Sequence, residues 1–517
     1  MDFPWLTTIG ALPLVGALFV LLLLLPPLAG RRALARPLAL AFSLVTLGLV
    51  VALVLRFHTH QAGSYQFTEH AHWIPELGVS YALGVDGIAL AMLVLSAVLV
   101  PICVLASWKA VEDARAPQFF VLVLVLETFM VGVFTARDLF LFYVFFEAML
   151  IPVYFLIGIF GGEQRRYAAV KFLLYSLLGG LVMLVALIGL YVAGPGGKDG
   201  FLLSSLTGIH FASRWAENWM FAGFFFAFAV KAPMWPVHTW LPDAAAEAPP
   251  GVAVLLVGVL DKVGTYGMLV FCLPLFPHAS KWAVPVIVVL AVVSVIYGAL
   301  LAIGQSDLMR LIAYTSVSHF GLIVLGVFAM TSPGQNGAVL YMVNHGFSTA
   351  ALFLVAGMLI SRRGSRRIED FGGLQRSTPL LAGAFLLAGL SSLALPGMSS
   401  FVSEFLVLAG SYQRYPGPAA VATLGLVLAA LYILLTYQRM FTGPVKEYAA
   451  GWRDLSAREI WVVAPLIAVI IALGVYPKPV LDVLNPAVSR TLDQVHVHDP
   501  GPTEPVLVGT SPTGGSK

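Results

Sequence analysis

The sequence predicts an all-α, polytopic membrane protein with about fourteen transmembrane helices, and three observations predict it. Hydrophobic residues make up 59% of the chain and charged residues 11%, with a mean hydropathy of +0.91, a balance that soluble globular domains do not keep. Apolar runs near the roughly 20 residues needed to cross a bilayer core recur along almost the whole length. The connections between them are mostly short and alternate between basic and less basic, as loops on opposite sides of one membrane do.

In chain order the spans are expected at 5–28, 37–55, 88–108, 118–136, 139–160, 170–192, 218–240, 251–275, 282–304, 309–330, 337–360, 380–412, 419–439 and 459–476. The first has no basic segment ahead of it and carries Arg31 and Arg32 behind it, so it reads as a retained helix and not as a secretory signal. Cys103 and Cys272 fall singly in the third and eighth spans with no CxxC spacing, which supplies no ligand set for a thiolate-bound iron–sulfur cluster or a structural zinc ion. The seventh span is interrupted by Pro233 and Pro236, and the twelfth by Leu395, Pro396, Gly397 and two serines. Proline removes an intrahelical hydrogen bond and clashes with the preceding turn. At membrane depth such breaks survive only where protein or water satisfies the freed backbone, and paired broken helices point to a transport site. The three longer connections, 56–86, 194–217 and 361–378, are too short for a further domain. Residues 1–484 therefore read as one transmembrane domain, and 485–517, rich in Pro, Gly, Thr and Ser, as a polar C-terminal tail.

Of the 29 Lys and Arg residues, 18 lie in or beside the connections after odd-numbered spans, 9 on the opposite side and 2 inside the membrane. The positive-inside rule then puts both termini on the non-cytoplasmic side. The net charge of +3 is a topology signal, and no nucleic-acid partner is inferred from it.

Six ionisable side chains fall where hydrocarbon is expected: Glu147, Lys231, Lys262, His319, His345 and Glu404, each about 8 to 11 residues from the nearer end of its span. At about 1.5 Å per residue in a core about 30 Å thick, that is near mid-membrane. Ionisable groups there are costly and mark proton or ion pathways. Glu147 to Lys231 is 84 residues and His319 to Glu404 is 85, while Glu147 to His319 is 172 and Lys231 to Glu404 is 173. Two five-helix repeats fit this spacing, helices 4 to 8 (about 117–276) and 9 to 13 (about 281–441), each with a polar second helix and a broken fourth. Five is odd, so the repeats would be inverted in the membrane, with one half-channel opening to each side.

Glu147 is the one charge of its span and needs a cation. Lys231, beside the first break, is the best partner, whether as a proton-coupled pair or as a structural clamp. Lys262 follows Asp261, but neighbours on a helix point about 100° apart, so the two should find different partners. A desolvated lysine can both accept and release a proton. His319 and His345 read as proton shuttles, as haem ligands, or as core histidines bonded to Ser or Asn. Glu404, just past the second break, ends the series, and Glu127 in the fourth span is open between structure and function.

The runs LGVDGI, ARDLFLFYVFFEAMLIPVYFLIGIFGG, AVKAPMWPVHTWLPDA, QSDLMRLIAYTSVSHFG and LPGMSSFVSEFLVL resemble the antiporter-like subunit M family of respiratory complex I, the bacterial counterpart of mitochondrial chain 4, over roughly residues 80–480. That family is similar to subunits L and N but has glutamate in the broken twelfth helix where those usually have lysine. Here the position is Glu404, and the long C-terminal lateral helix expected of subunit L is lacking. The resemblance implies that Glu147 and Lys231 form an input pair, that Lys262 is a central relay, and that His319, His345 and Glu404 continue to an exit. It also implies L-like and N-like neighbours in a bacterial inner membrane, with NADH, FMN, iron–sulfur clusters and quinone held by partner chains and no cofactor or metal in this one. Ala245 in WLPDAAAEAP stands where the family commonly has histidine, so an uptake role there does not carry over, while Asp243 and Glu247 remain. The function expected is proton translocation coupled to quinone reduction in an NADH:quinone oxidoreductase, with no redox chemistry in this chain. The alternatives are a subunit of a multisubunit sodium/proton antiporter, a haem-binding electron carrier using His319 and His345, or a passive scaffold.

Overall fold

Twelve helices of the computed structural model, which describes residues 3–501 apart from the side chain of Ala29, are long and apolar enough to cross a membrane. The other two expected spans, the seventh and the twelfth, are interrupted. Arg214–Lys231 stops at the first proline, residues 232–239 run as turns, and Trp240–Glu247 follows. Pro379–Ser392 and Ser399–Arg414 flank the second break. Side chains meet backbone groups at the two breaks, as burial in an apolar medium requires. The Trp240 indole donates to the Val230 carbonyl at 2.9 Å, the Trp235 amide to the Ser294 hydroxyl at 2.9 Å, and the Asn344 amide to the Ser399 carbonyl at 2.6 Å.

Acidic residues start several helices. Asp86 caps Gly87–Ala106 through the Ala89 amide, Asp138 caps Leu139–Ala148 through the Phe140 and Leu141 amides, and Asp307 caps Leu308–Phe328 through the Arg310 amide. Each supplies an acceptor to donors that a helix start leaves free. Burial then sorts the helices into layers. The apolar window of Pro250–Leu275 is 100% buried and those of Leu308–Phe328 and Ser332–Arg363 are 94% buried, against 33% for Trp5–Leu22 and 28% for Ala457–Val475. The eighth, tenth and eleventh spans are therefore the inner layer, and they carry Lys262, His319 and His345.

The fold departs from an all-helical chain at one place. Between the second and third spans, where only a long connection was expected, Gln66–Ile74 pairs antiparallel with Val79–Val85, with His70 opposite Ala82 and His72 opposite Ser80. A short two-stranded unit makes no long apolar run, so hydropathy passes over it.

The polar tail also needs correction. Lys478–Val495 is a helix that buries Leu484, Ala487, Val488, Leu492 and Val495, and residues 502–517 of the expected tail lie outside the described residues. Apolar positions three and four apart build a sided helix at low average hydropathy, which a composition reading averages away. On its other face Arg490 donates to Asp86 at 2.5 Å and to the Gly63 carbonyl at 2.6 Å, fastening this helix to the start of the third span. Burial alone would raise the Asp86 carboxyl, but the Arg137 and Arg490 guanidiniums and the Ala89 amide outweigh it and hold it below the usual carboxylate range. Arg490→Ala should cost about 3 kcal/mol by stranding a buried carboxylate, read as a lower melting temperature of the purified chain in detergent. A pKa lowered by folding contributes stability above the unfolded value and loses it in acid, so the gap between the two proteins should close below about pH 4.

Candidate functional site

Lys262 sits in a helix of uneven winding. Widened π-helical turns, Leu256–Leu260 and Met268–Cys272, flank Lys262–Gly267. Such turns recur at functional sites. Lys262 Nζ donates to the Val257 carbonyl at 2.6 Å and meets His345 Nδ1 at 2.8 Å. The eighth and eleventh spans come this close because glycines face one another where they cross. A Cβ on Gly346 would stand 3.1 Å from the Gly258 carbonyl oxygen and 2.8 Å from the Leu95 side chain.

From His345 the contacts continue inward. Its ring packs edge to face on His319, with centroids 5.2 Å apart. The His319 ring lies 5.7 Å from Tyr341 and its Nε2 is 3.2 Å from the Tyr432 hydroxyl. Tyr341 donates to Glu404 Oε1 at 2.8 Å. Lys262, His345, His319 and Glu404 thus form one buried row, each 3% exposed or less. Tyr341 and Tyr432 complete it and were not among the predicted residues, because a buried tyrosine reads as core. Tyr341 carries one usable signal: it precedes His345 by four residues and so shares its helix face. Tyr432 carries none.

The two imidazoles do not fit a haem. Axial ligands approach iron from opposite faces of a flat macrocycle, whereas these rings touch edge to face, and one nitrogen of each is taken up by Lys262 or Tyr432.

At the other end Glu147 and Lys231 are neighbours without touching. Lys231 Nζ lies 4.9 Å over the Phe146 ring and 5.9 Å from Phe172, and neither it nor Glu147 Oε1 has a hydrogen-bond partner among the described residues. The ion pair expected from the sequence is open in this structure. The cause is helical geometry: Glu147 follows Phe146, so its side chain turns about 100° away from the ring that holds the ammonium. It packs instead on Gly180 of the sixth span, where a Cβ would overlap the carboxylate. Asp261 lies in the electrostatic field of both Lys231 and Lys262, with both its oxygens buried and unpartnered among the described residues. The side chain that Lys262 does contact is a different one, His345.

Gly180→Ala tests this placement. The atom in the way is the far end of a flexible side chain, so the fold should tolerate the methyl while the carboxylate swings out. If the position of Glu147 matters, the variant should assemble normally and lose about tenfold in proton transfer, roughly 1.4 kcal/mol of barrier. Unchanged transfer would show that the position is immaterial.

The remaining acidic candidates stand apart from the row. Asp243 accepts from Lys171 at 2.7 Å and Arg310 at 2.6 Å, and Glu247 accepts from Arg366 at 3.0 Å, so both are held in ion pairs beside basic connections. Glu127 is buried in the fourth span with neither oxygen partnered among the described residues.

The chain is similar to known proteins over nearly all its length. A family profile described as NADH:quinone oxidoreductase/Mrp antiporter, TM, matches residues 136–431, and one described as NADH-ubiquinone oxidoreductase chain 4, amino terminus, matches 38–133. NADH-quinone oxidoreductase subunit M of Mycobacterium tuberculosis is 49% identical over 550 aligned residues, covering 99% of each chain. A chain in the structure of respiratory complex I from Thermus thermophilus with bound NADH superposes with a TM-score of 0.85 at 32% identity, over 95% of this chain and 99% of that one. A chain of the Mrp complex from Dietzia sp. DQ12-45-1b superposes with a TM-score of 0.83 at 23% identity, over 95% and 100%, a likeness of fold alone.

Proposed function

The chain belongs to the NADH:quinone oxidoreductase/Mrp antiporter transmembrane family, in its subunit M group, and from that premise we propose that it translocates protons in the membrane arm of an NADH:quinone oxidoreductase. The observation that carries this reading is a row of titratable groups in which Lys231, Asp261, Lys262, His345, His319 and Glu404 are buried and Glu147, half-buried, stands at one end. A structural core has no need of such a row, since buried charges are costly to desolvate and add little stability.

The proposed mechanism is electrostatic. A charge arriving from a neighbouring subunit pulls on Glu147 and Lys231, which are close yet unjoined and so free to move together or apart. At an effective dielectric constant of about 20, opposite unit charges drawn from about 8 Å to about 4 Å gain about 2 kcal/mol. Passed through Asp261, that is enough to shift a proton equilibrium at Lys262 roughly thirtyfold. Lys262 hands its proton to His345 Nδ1, the one side-chain nitrogen within hydrogen-bonding reach among the described residues. His319, Tyr341 and Glu404 continue the route. The two halves of the row fall in two inverted five-helix repeats, about 117–276 and 281–441, and each repeat would supply one half-channel.

The setting follows from the family and the charge asymmetry. The chain is multi-pass, in a bacterial inner membrane, with both termini on the non-cytoplasmic side and L-like and N-like subunits beside it. NADH, FMN, iron–sulfur clusters and quinone belong to partner chains, and this subunit does no redox chemistry itself. A sodium/proton antiporter subunit is the weaker reading, supported by the shared family profile and fold but not by the subunit M relatives. The deciding measurement is proton uptake against quinone reduction in sealed vesicles bearing the assembled complex with Lys262→Ala. Unaffected pumping overturns the proposal.

A further inference from the structure

The hairpin between the second and third spans brings together three side chains that the proton row does not use. His70 and His72 are separated by one residue on the strand Gln66–Ile74, so they share a face, with ring centroids 5.2 Å apart. Asp199 comes from the connection between the sixth and seventh spans, 129 residues further along the chain than His70. Its Oδ1 lies 3.1 Å from His70 Nε2 and 3.7 Å from His72 Nδ1. The three potential ligand atoms all lie within 4.8 Å of one another. Four-coordinate zinc with bonds of about 2.0 to 2.1 Å holds its donor atoms about 3.4 Å apart, so the two observed separations bracket the required one.

The carboxylate is also aimed. The Ser80 hydroxyl donates to Asp199 Oδ1 at 3.0 Å, and the Ser80 amide donates at 2.9 Å to Asp138, the cap of the helix that carries Glu147. Hydrogen bonds of this kind orient a ligating carboxylate before an ion arrives. The three side chains are 43%, 46% and 43% exposed, which leaves an approach from solvent and room for solvent as further ligands.

We propose that His70, His72 and Asp199 bind one divalent transition-metal ion of the zinc class, clasping the hairpin to the connection between the sixth and seventh spans. Two imidazoles and one carboxylate suit zinc, nickel or copper, whereas magnesium and calcium take oxygen ligands. The site is independent of the proton row and stands or falls separately from it.

The test uses the full-length chain purified in detergent and titrated with Zn2+ and with Co2+. One ion should bind per chain, with visible cobalt bands. His70→Ala, His72→Ala and Asp199→Asn should each weaken binding at least about tenfold. Asp199→Asn is isosteric and keeps an oxygen for Ser80, so its loss of binding cannot be ascribed to misfolding. A His58→Ala/His60→Ala double variant, which removes two exposed histidines of the same connection, should bind as the wild type does. Absence of binding by the wild-type chain, undiminished binding by the three single variants, or loss of the ion in the double variant would each overturn the assignment.

Discussion

Replacing Lys262 by alanine is expected to abolish NADH-driven proton translocation and to depress quinone reduction in step with it, while the complex still assembles. Assembly should survive because the substitution leaves the Val257 carbonyl and His345 Nδ1 without their partner, a penalty of about 1 to 3 kcal/mol for each group in a domain whose inner helices are otherwise intact. Translocation should not survive, since among the described residues no other ammonium reaches His345. Lys262→Arg separates the two ways a lysine can act here. Arginine keeps the positive charge but does not release its proton in a protein. A relay therefore predicts that arginine pumps no better than alanine, whereas a fixed charge predicts that it pumps nearly as well as lysine. Acidification of sealed vesicles, measured beside quinone reduction in the same preparation, distinguishes these outcomes.

Glu147→Gln and Lys231→Ala should each slow coupled proton transfer by about thirtyfold, the equivalent of about 2 kcal/mol of lost coupling between the pair. Because the two residues are proposed to act as one element, the double variant should be little worse than either single one. Additive losses would mean that the residues act independently. Intact pumping in both single variants would mean that the charges are scaffold, and would remove the input pair from the mechanism. Glutamine preserves the shape of Glu147 against Gly180, so a loss in that variant reports on charge and not on packing.

Much of the fold was legible in the sequence because a bilayer imposes simple rules. Apolar length marks the spans, and proline marks the breaks at Pro233 and Pro396. Hydropathy failed where structure depends on sidedness and not on average composition. The hairpin lays an exposed strand, Gln66–Ile74, along a buried one, Val79–Val85, and the helix Lys478–Val495 buries one face and wets the other.

Chemical identity was likewise readable from the chain: an ionisable group in a run of Leu, Phe and Val cannot be hidden, so Glu147, Lys231, Lys262, His319, His345 and Glu404 stand out. Their connections were not readable, because a side-chain contact depends on rotation about a helix axis and on how closely two axes approach. Those quantities are set by glycines facing each other at Gly258 and Gly346, and by π-helical turns with no signature of their own. Only the tertiary structure decided that Lys262 meets His345, that Tyr341 joins the row to Glu404, and that Lys231 rests on Phe146 with Glu147 turned away. Sequence sets which residues pay the cost of burial, and packing in three dimensions sets which of them touch.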